Sequence, residues 1–217
     1  MLIDLSFMRS LKCSMGCPFC MYDASPDAKE ILTGEQVRKF FEGQDTSVIR
    51  SFGLYGGEIS EDLEGYQDII DNLPEGFHRW TITNGGWSAD GRARKFLDWC
   101  IKNRVGPVIV SGTPWHQLHQ DRPYLEKIQA LYSPDIIPIR LKGDDIIHSM
   151  GRADDLPNTC TMKCKTPIDA WRLAIKPDGD IMFQWCNGDY PIIANVSYGL
   201  DRVAAIVKDT VSNILAV

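Results

Sequence analysis

No stretch of the 217 residues approaches the roughly 18–20 consecutive apolar residues that a helix needs to cross a bilayer. The N-terminus, MLIDLSFMRSLKC, lacks a basic flank followed by a long apolar run, and Asp4 interrupts its apolar residues. A secretory leader is therefore not expected, and neither is a membrane partner. An excess of positive charge is absent too. Lys and Arg number 23 against 29 Asp and Glu, a net charge of −6. That balance argues against a broad electrostatic footprint for nucleic acid or an anionic membrane surface. There is no internal repeat and no low-complexity tract. What remains is a soluble, cytoplasmic chain long enough to bury one sizeable core.

Cysteine is where the sequence becomes informative. The seven cysteines, at 13, 17, 20, 100, 160, 164 and 186, are odd in number, and no leader sends them to an oxidising compartment. A disulfide framework is not expected. Six of the seven fall into two groups of three, which read first as metal ligands. Cys100, beside Trp99 in a helical pattern, reads as a small buried hydrophobe.

Between the two groups, apolar runs alternate with helix-like stretches. Strands are expected over 2–7, 48–54, 80–83, 108–110 and 136–141, with a weak sixth over 146–150. Helices are expected over 33–43, 61–73, 89–104 and 122–132, the first capped by Thr33 with Gln36 three residues later. Such alternation predicts βα units and a parallel sheet. After Gly151 the character changes. Residues 171–176 and 181–185 flank Pro177-Asp178-Gly179-Asp180, a hairpin signal, and 200–215 closes as an amphipathic helix. The expected division is a core over 1–150 and a small hairpin-and-helix extension over 151–217.

The first cysteine group reads Lys12-Cys13-Ser14-Met15-Gly16-Cys17-Pro18-Phe19-Cys20. Spacings of four and three would align sulfurs on a helix, but Pro18 removes a donor and biases Cys17 away from the α region. A loop around a compact inorganic group suits these residues better. Iron–sulfur clusters are held by thiolates, four for a four-iron cluster, so three cysteines leave one iron open. Zinc stays an alternative; it needs a fourth ligand, normally Cys or His.

Further candidates follow the other strands. Tyr55-Gly56-Gly57-Glu58 comes after the second, Thr83-Asn84-Gly85-Gly86 after the third, and Ser111, Trp115, His116 and His119 after the fourth. Adjacent glycines permit close backbone approach, and a carboxylate suits an ammonium. His116 and His119 read either as substrate-facing or as ordinary polar residues near a helix start. Arg140 and Lys142 share a face of the fifth strand and suit an anion. All these positions fall at the C-terminal ends of strands, the face on which parallel α/β barrels build active sites.

Taken together, these motifs resemble the radical S-adenosylmethionine (SAM) superfamily. The resemblance implies an α/β fold, a partial parallel (β/α)5–6 TIM-like barrel. It implies Cys13, Cys17 and Cys20 as ligands of a [4Fe-4S] cluster whose open iron takes the amino and carboxylate groups of SAM. It places Phe19 near the adenine, Gly56, Gly57 and Glu58 at the SAM amino group, and Asn84, Ser111 and Arg140 elsewhere around SAM. Ile59 stands where the family usually has proline. The activity implied is reductive cleavage of SAM to a 5′-deoxyadenosyl radical that abstracts a hydrogen atom, serving an isomerisation or an oxidation. Substrates would be a nucleotide or modified base, or a peptide, and the electron donor a flavodoxin or ferredoxin. The segment with Cys160, Cys164, the hairpin, Cys186 and Ala194-Asn195-Val196 resembles a shortened SPASM or twitch extension. No cysteine follows 186, so two auxiliary clusters are excluded; one auxiliary cluster, a zinc site and free thiols stay open. A non-catalytic zinc or iron–sulfur electron-transfer module is the competing reading of the whole chain.

These alternatives predict different metal contents. Replacing Cys13, Cys17 and Cys20 together by Ala is expected to remove one cluster. About four irons and sulfides per chain retained by that variant would show a second cluster, and none retained would show that the first site was the sole one.

Overall fold

In the computed structural model, residues 2–132, 137–143, 152, 170–184 and 190–215 are described. Strand β1 (Ile3–Phe7) is buried on both faces, with Ile3, Leu5 and Phe7 in the main core and Asp4 and Ser6 on the other side. Burial on both faces is the requirement of an interior parallel strand. β2 (Ile49–Leu54), β3 (His78–Thr83), β4 (Val105–Val110) and β5 (Ile139–Leu141) extend the sheet on one side of β1, each parallel to its neighbour. On the other side β6 (Trp171–Ile175) pairs parallel to β1, followed by antiparallel β7 (Asp180–Phe183) and β8 (Ile192–Asn195). The order β5-β4-β3-β2-β1-β6-β7-β8 makes an eight-stranded, mostly parallel sheet in a mixed α/β fold. Segments from both sides of residue 150 share this sheet, since β6 docks on β1 from Ile3↔Trp171 to Phe7↔Ile175. The strand expected over 146–150 lies outside the described residues.

The helices are α1 (Gly34–Phe41), α2 (Leu63–Asp71), α3 (Ala93–Lys102), α4 (Pro114–Leu118), α5 (Arg122–Leu131) and α6 (Leu200–Leu215). Thr33 and Gln36 form the expected capping box of α1. Helix α6 buries Leu200, Val203, Val207 and Val211, the stripe that its spacing predicts. The rings of Phe7, Phe41 and Phe52 lie 5.7–6.3 Å apart and pack α1 against β1 and β2. Cys100 is fully buried in α3, as its apolar neighbourhood requires. Among the described residues no helix is long and apolar enough to cross a membrane.

Because β1 to β6 are parallel, their C-terminal ends share one edge of the sheet. There the loop after β1 lies along the loop after β2. The N–H groups of Tyr55, Gly57 and Glu58 donate to the carbonyls of Phe7, Ser10 and Lys12 at 3.2, 2.9 and 2.8 Å. A Cβ at Gly57 would sit 2.0 Å from the Lys12 carbonyl oxygen, so only glycine permits this approach. Gly57→Ala is expected to push residues 10–13 off this track and to lower stability by about 1–3 kcal/mol. Gly143→Ala, where a Cβ meets nothing within 4 Å, should stay within about 0.5 kcal/mol. Denaturant unfolding of both variants measures the difference.

Candidate functional site

The first cysteine group lies in that loop after β1. No helix forms over Cys13–Cys20, in line with the constraint at Pro18. The Cys20 N–H donates to the Cys17 carbonyl at 3.3 Å, closing a turn with Pro18 at its second position, where a fixed φ is favoured. Gly16 supplies a left-handed residue at φ +61°. The loop is tied from several sides. Cys13 N–H donates to Ser25 at 3.1 Å, and the Ser14 hydroxyl donates to Glu61 at 2.6 Å. Arg152 donates its backbone N–H to the Cys20 carbonyl at 3.0 Å and its guanidinium to the Ala24 carbonyl at 2.8 Å. Cys13 and Cys17 are buried, and Cys20 is half-buried.

Glu58 is only 2% exposed, which obliges its carboxylate to find partners inside the chain. It accepts from the Ser60 N–H at 3.1 Å, the Thr83 hydroxyl at 2.7 Å and the Asn84 N–H at 2.8 Å. The Thr83 hydroxyl in turn accepts from the Trp87 indole at 2.9 Å and the Gly85 N–H at 3.2 Å. Burial pushes the Glu58 carboxyl above its ordinary range, and these donors oppose the shift. Glu58 thus ties the loop after β2 to the end of β3, and both of its oxygens are engaged by the chain itself.

Asn84 turns toward the cysteines. Its Oδ1 accepts from the Gly86 N–H at 2.8 Å, and its Nδ2 lies 3.5 Å from Cys13 Sγ. From the opposite flank His116 reaches in on α4. Its Nε2 lies 3.5 Å from Cys17 Sγ, its Nδ1 lies 2.8 Å from the Thr113 hydroxyl, and its ring stands edge-on to Phe19 at 5.6 Å. Helix α4 has Thr113 as its cap and Pro114 in its first turn, which bears out the reading of His116 and His119 as lying near a helix start; its bounds carry no periodic signal because it has five residues.

The structure therefore brings together Cys13, Cys17, Cys20, Phe19, the Gly56-Gly57-Glu58 loop, Asn84 and His116. Among the described residues no hydrogen bond or ring contact joins Ser111, His119 or Arg140 to the cysteine loop. Ser111 bonds through its backbone to Thr83 and Gln120, His119 is exposed against Trp115 at 5.3 Å, and Arg140 is exposed in β5. Cys160, Cys164 and Cys186 lie outside the described residues. Glu61, Thr113 and Arg152 join the site unannounced; the Ser14–Glu61 contact spans 47 positions and leaves no local signal.

Burial pushes the Cys13 thiol up to about 11, with the carboxylates of Glu58 and Glu61 adding to the shift. Burial, and then the neighbouring thiols of Cys13 and Cys20, push Cys17 up to about 12, while Arg152 opposes this. Among the described residues no three Cys, His, Asp or Glu side chains stand close enough to share one metal ion. A single tetrahedral zinc would draw its sulfurs to about 3.8 Å from one another, given a Zn–S bond of about 2.3 Å. Three free thiols on one loop are a donor set that an iron–sulfur cluster takes.

No protein-family model and no curated protein matches the chain. Among solved structures it is similar to native anSMEcpe with bound AdoMet and Cp18Cys peptide, at a TM-score of 0.44 and 18% identity, over 65% of this chain and 42% of that one. It is also similar to Streptococcus suis SuiB bound to the precursor peptide SuiA, at a TM-score of 0.40 and 12% identity, over 83% of this chain and 59% of that one. SuiB bound to S-adenosylmethionine gives 0.33 and 11%, over 83% and 60%. The chain thus spans less than two thirds of each of these proteins, and likeness at this level bears on neither activity nor substrate.

Proposed function

We propose that the chain is a radical SAM enzyme whose cluster is held by Cys13, Cys17 and Cys20. The observation that carries this reading is the convergence at one sheet edge. The loop that carries the three cysteines accepts the Gly57 and Glu58 N–H groups at the carbonyls of Ser10 and Lys12, and the Asn84 amide reaches the sulfur of Cys13. When bound, a reduced [4Fe-4S] cluster together with SAM supplies hydrogen-atom abstraction by a 5′-deoxyadenosyl radical. The chain's own contribution is placement. Cys13, Cys17 and Cys20 would hold the cluster through their thiolates, one fewer than a four-iron cluster has irons. Glu58, Thr83 and Asn84 fix the loops that border the cysteines. Burial of Cys13 and Cys17 keeps water away from the thiolates. Glu58, buried beside the loop with both oxygens bonded to the chain, acts here as the anchor between the loop after β2 and the end of β3.

Anaerobic reconstitution with iron and sulfide, followed by reductant and SAM, tests the proposal. The expected result is about four irons and four sulfides at this site and formation of 5′-deoxyadenosine. A stable cluster that yields none, or uptake of zinc without sulfide, would establish the non-catalytic module instead. The same assay run with nucleotide and with peptide candidates, and with flavodoxin or ferredoxin as donor, assigns substrate class and electron source.

The raised thiols set a pH dependence. The thiolate is the ligand, so each cysteine that ligates must first lose a proton that burial helps it keep. Uptake at limiting iron is expected to rise between about pH 7 and about pH 9 and to fall below that range. The empty chain behaves oppositely. Its pKa values of about 11 and about 12 lie above the unfolded thiol value, so stability is complete below about pH 8.5 and declines as pH rises toward the folded values. Unfolding midpoints of the metal-free protein across that range should fall, and less so in Cys17→Ala.

A further inference from the structure

His116 reads in the sequence either as a residue facing substrate or as an ordinary polar residue near a helix start; in the fold it lies in the first turn of α4 and faces a cysteine. Thr113 sets the geometry from which we infer the tautomer of its ring. The Thr113 hydroxyl accepts the His116 backbone N–H at 3.3 Å and lies 2.8 Å from Nδ1. That hydroxyl, already an acceptor for the backbone N–H, is placed to give its proton to Nδ1. A proton donated to Nδ1 leaves the imidazole N–H on Nε2. Nε2 is the atom 3.5 Å from Cys17 Sγ. The Phe19 ring, edge-on at 5.6 Å, packs against the imidazole.

Asn84 presents the same logic on the other flank. Its Oδ1 is held by the Gly86 N–H at 2.8 Å, so the end that faces Cys13 Sγ at 3.5 Å is the NH2 donor. Two of the three sulfurs thus receive a donor from a side chain whose other polar atom is already fixed.

We propose that His116 and Asn84 are positioning residues that donate N–H···S hydrogen bonds to Cys17 and Cys13 and so raise the reduction potential of the cluster these cysteines hold. The inference rests on the radical SAM reading above. One electron taken from an external reductant adds negative charge to the cluster and its thiolates. A fixed N–H dipole aimed at sulfur stabilises the more negative, reduced form more than the oxidised one. Low dielectric at a buried site strengthens the effect.

The test compares wild type, His116→Phe, His116→Gln, Thr113→Val and Asn84→Ala. Each is reconstituted anaerobically without SAM, assayed for iron and sulfide, and titrated potentiometrically with EPR detection. His116→Phe is expected to lower the reduction equilibrium constant about tenfold, a shift of ~59 mV to more negative potential for a one-electron couple. His116→Gln, which keeps an N–H donor, should restore most of the shift. Thr113→Val, which keeps the ring but frees its tautomer, should fall between. Asn84→Ala should shift the potential in the same direction, additively with His116→Phe. Should His116→Phe fail to fold, the Gln and Val variants decide. Intact clusters with unmoved potentials overturn this inference alone. Loss of iron from both His116 variants overturns it as well, by making His116 a metal ligand. Wild type that assembles no iron–sulfur cluster overturns the proposed function and this inference together.

Discussion

The cysteine loop is carried by a backbone contact that tolerates no side chain. Three N–H groups of Tyr55–Glu58 donate to carbonyls between Phe7 and Lys12, and the Lys12 oxygen occupies the space that a Cβ at residue 57 would need. Everything around the sulfurs depends on this track. It fixes where the chain enters the loop, one residue before Cys13, and brings Glu58 to the point where its carboxylate can bridge to β3. Among the described residues the loop from residue 8 to residue 32 pairs with itself at isolated bridges, Ser10–Ile31 and Lys12–Ser25, so the backbone track is what sets its entry. The glycine pair thus works inside the chain, on its own backbone, whatever it also does for a bound molecule.

Glu58 carries the second half of the arrangement. A carboxylate with almost no exposure is costly unless its oxygens are satisfied, and here three donors from two loops satisfy it. The cost of burial becomes rigidity, since losing any one donor would leave a buried oxygen short. Thr83 extends the network to Trp87, so the end of β3 is held from both sides. Asn84 follows directly and inherits that fixed geometry. This is how a side chain on a turn comes to present its amide to Cys13.

Much of this was legible in the sequence and some was not, for physical reasons. The βα alternation, the capping box at Thr33, the hairpin at 177–180 and the stripe of α6 are local signals, and the structure contains all four. The loop conformation of the cysteines followed from Pro18, a one-residue constraint. Strand β8 escaped notice because only Ala194 of its four residues is buried, so no alternation marks it. Helix α4 is too short for a period. The partners of the sulfurs were the least legible. His116 stands 99 positions from Cys17 and Asn84 71 from Cys13, and such pairings depend on strand order, which periodicity does not encode. Glu58 was visible as an acid after two glycines, but its commitment to Thr83 and Asn84 depends on β2 lying beside β3.

The electrostatics of the loop show why those partners matter. Cys13 stands near two carboxylates, Glu58 and Glu61, and Cys17 stands near two other thiols; each surrounding disfavours a thiolate. Burial disfavours it further. Cysteines placed this way make poor free nucleophiles, because their thiols hold their protons at neutral pH. They are suited instead to a bound group that brings positive charge with it and draws the thiolates out. Among the described residues Arg152 is the cation that favours a Cys17 thiolate, and the Asn84 amide and the His116 ring stand beside the sulfurs. Neutral donors do not cancel the negative charge of a loaded loop; they point a dipole at it. For the proposed cluster, surroundings of dipoles rather than cations mean a low potential, which N–H groups aimed at sulfur then adjust. The acidity of the surroundings and the two donors to sulfur are thus opposing settings of one property.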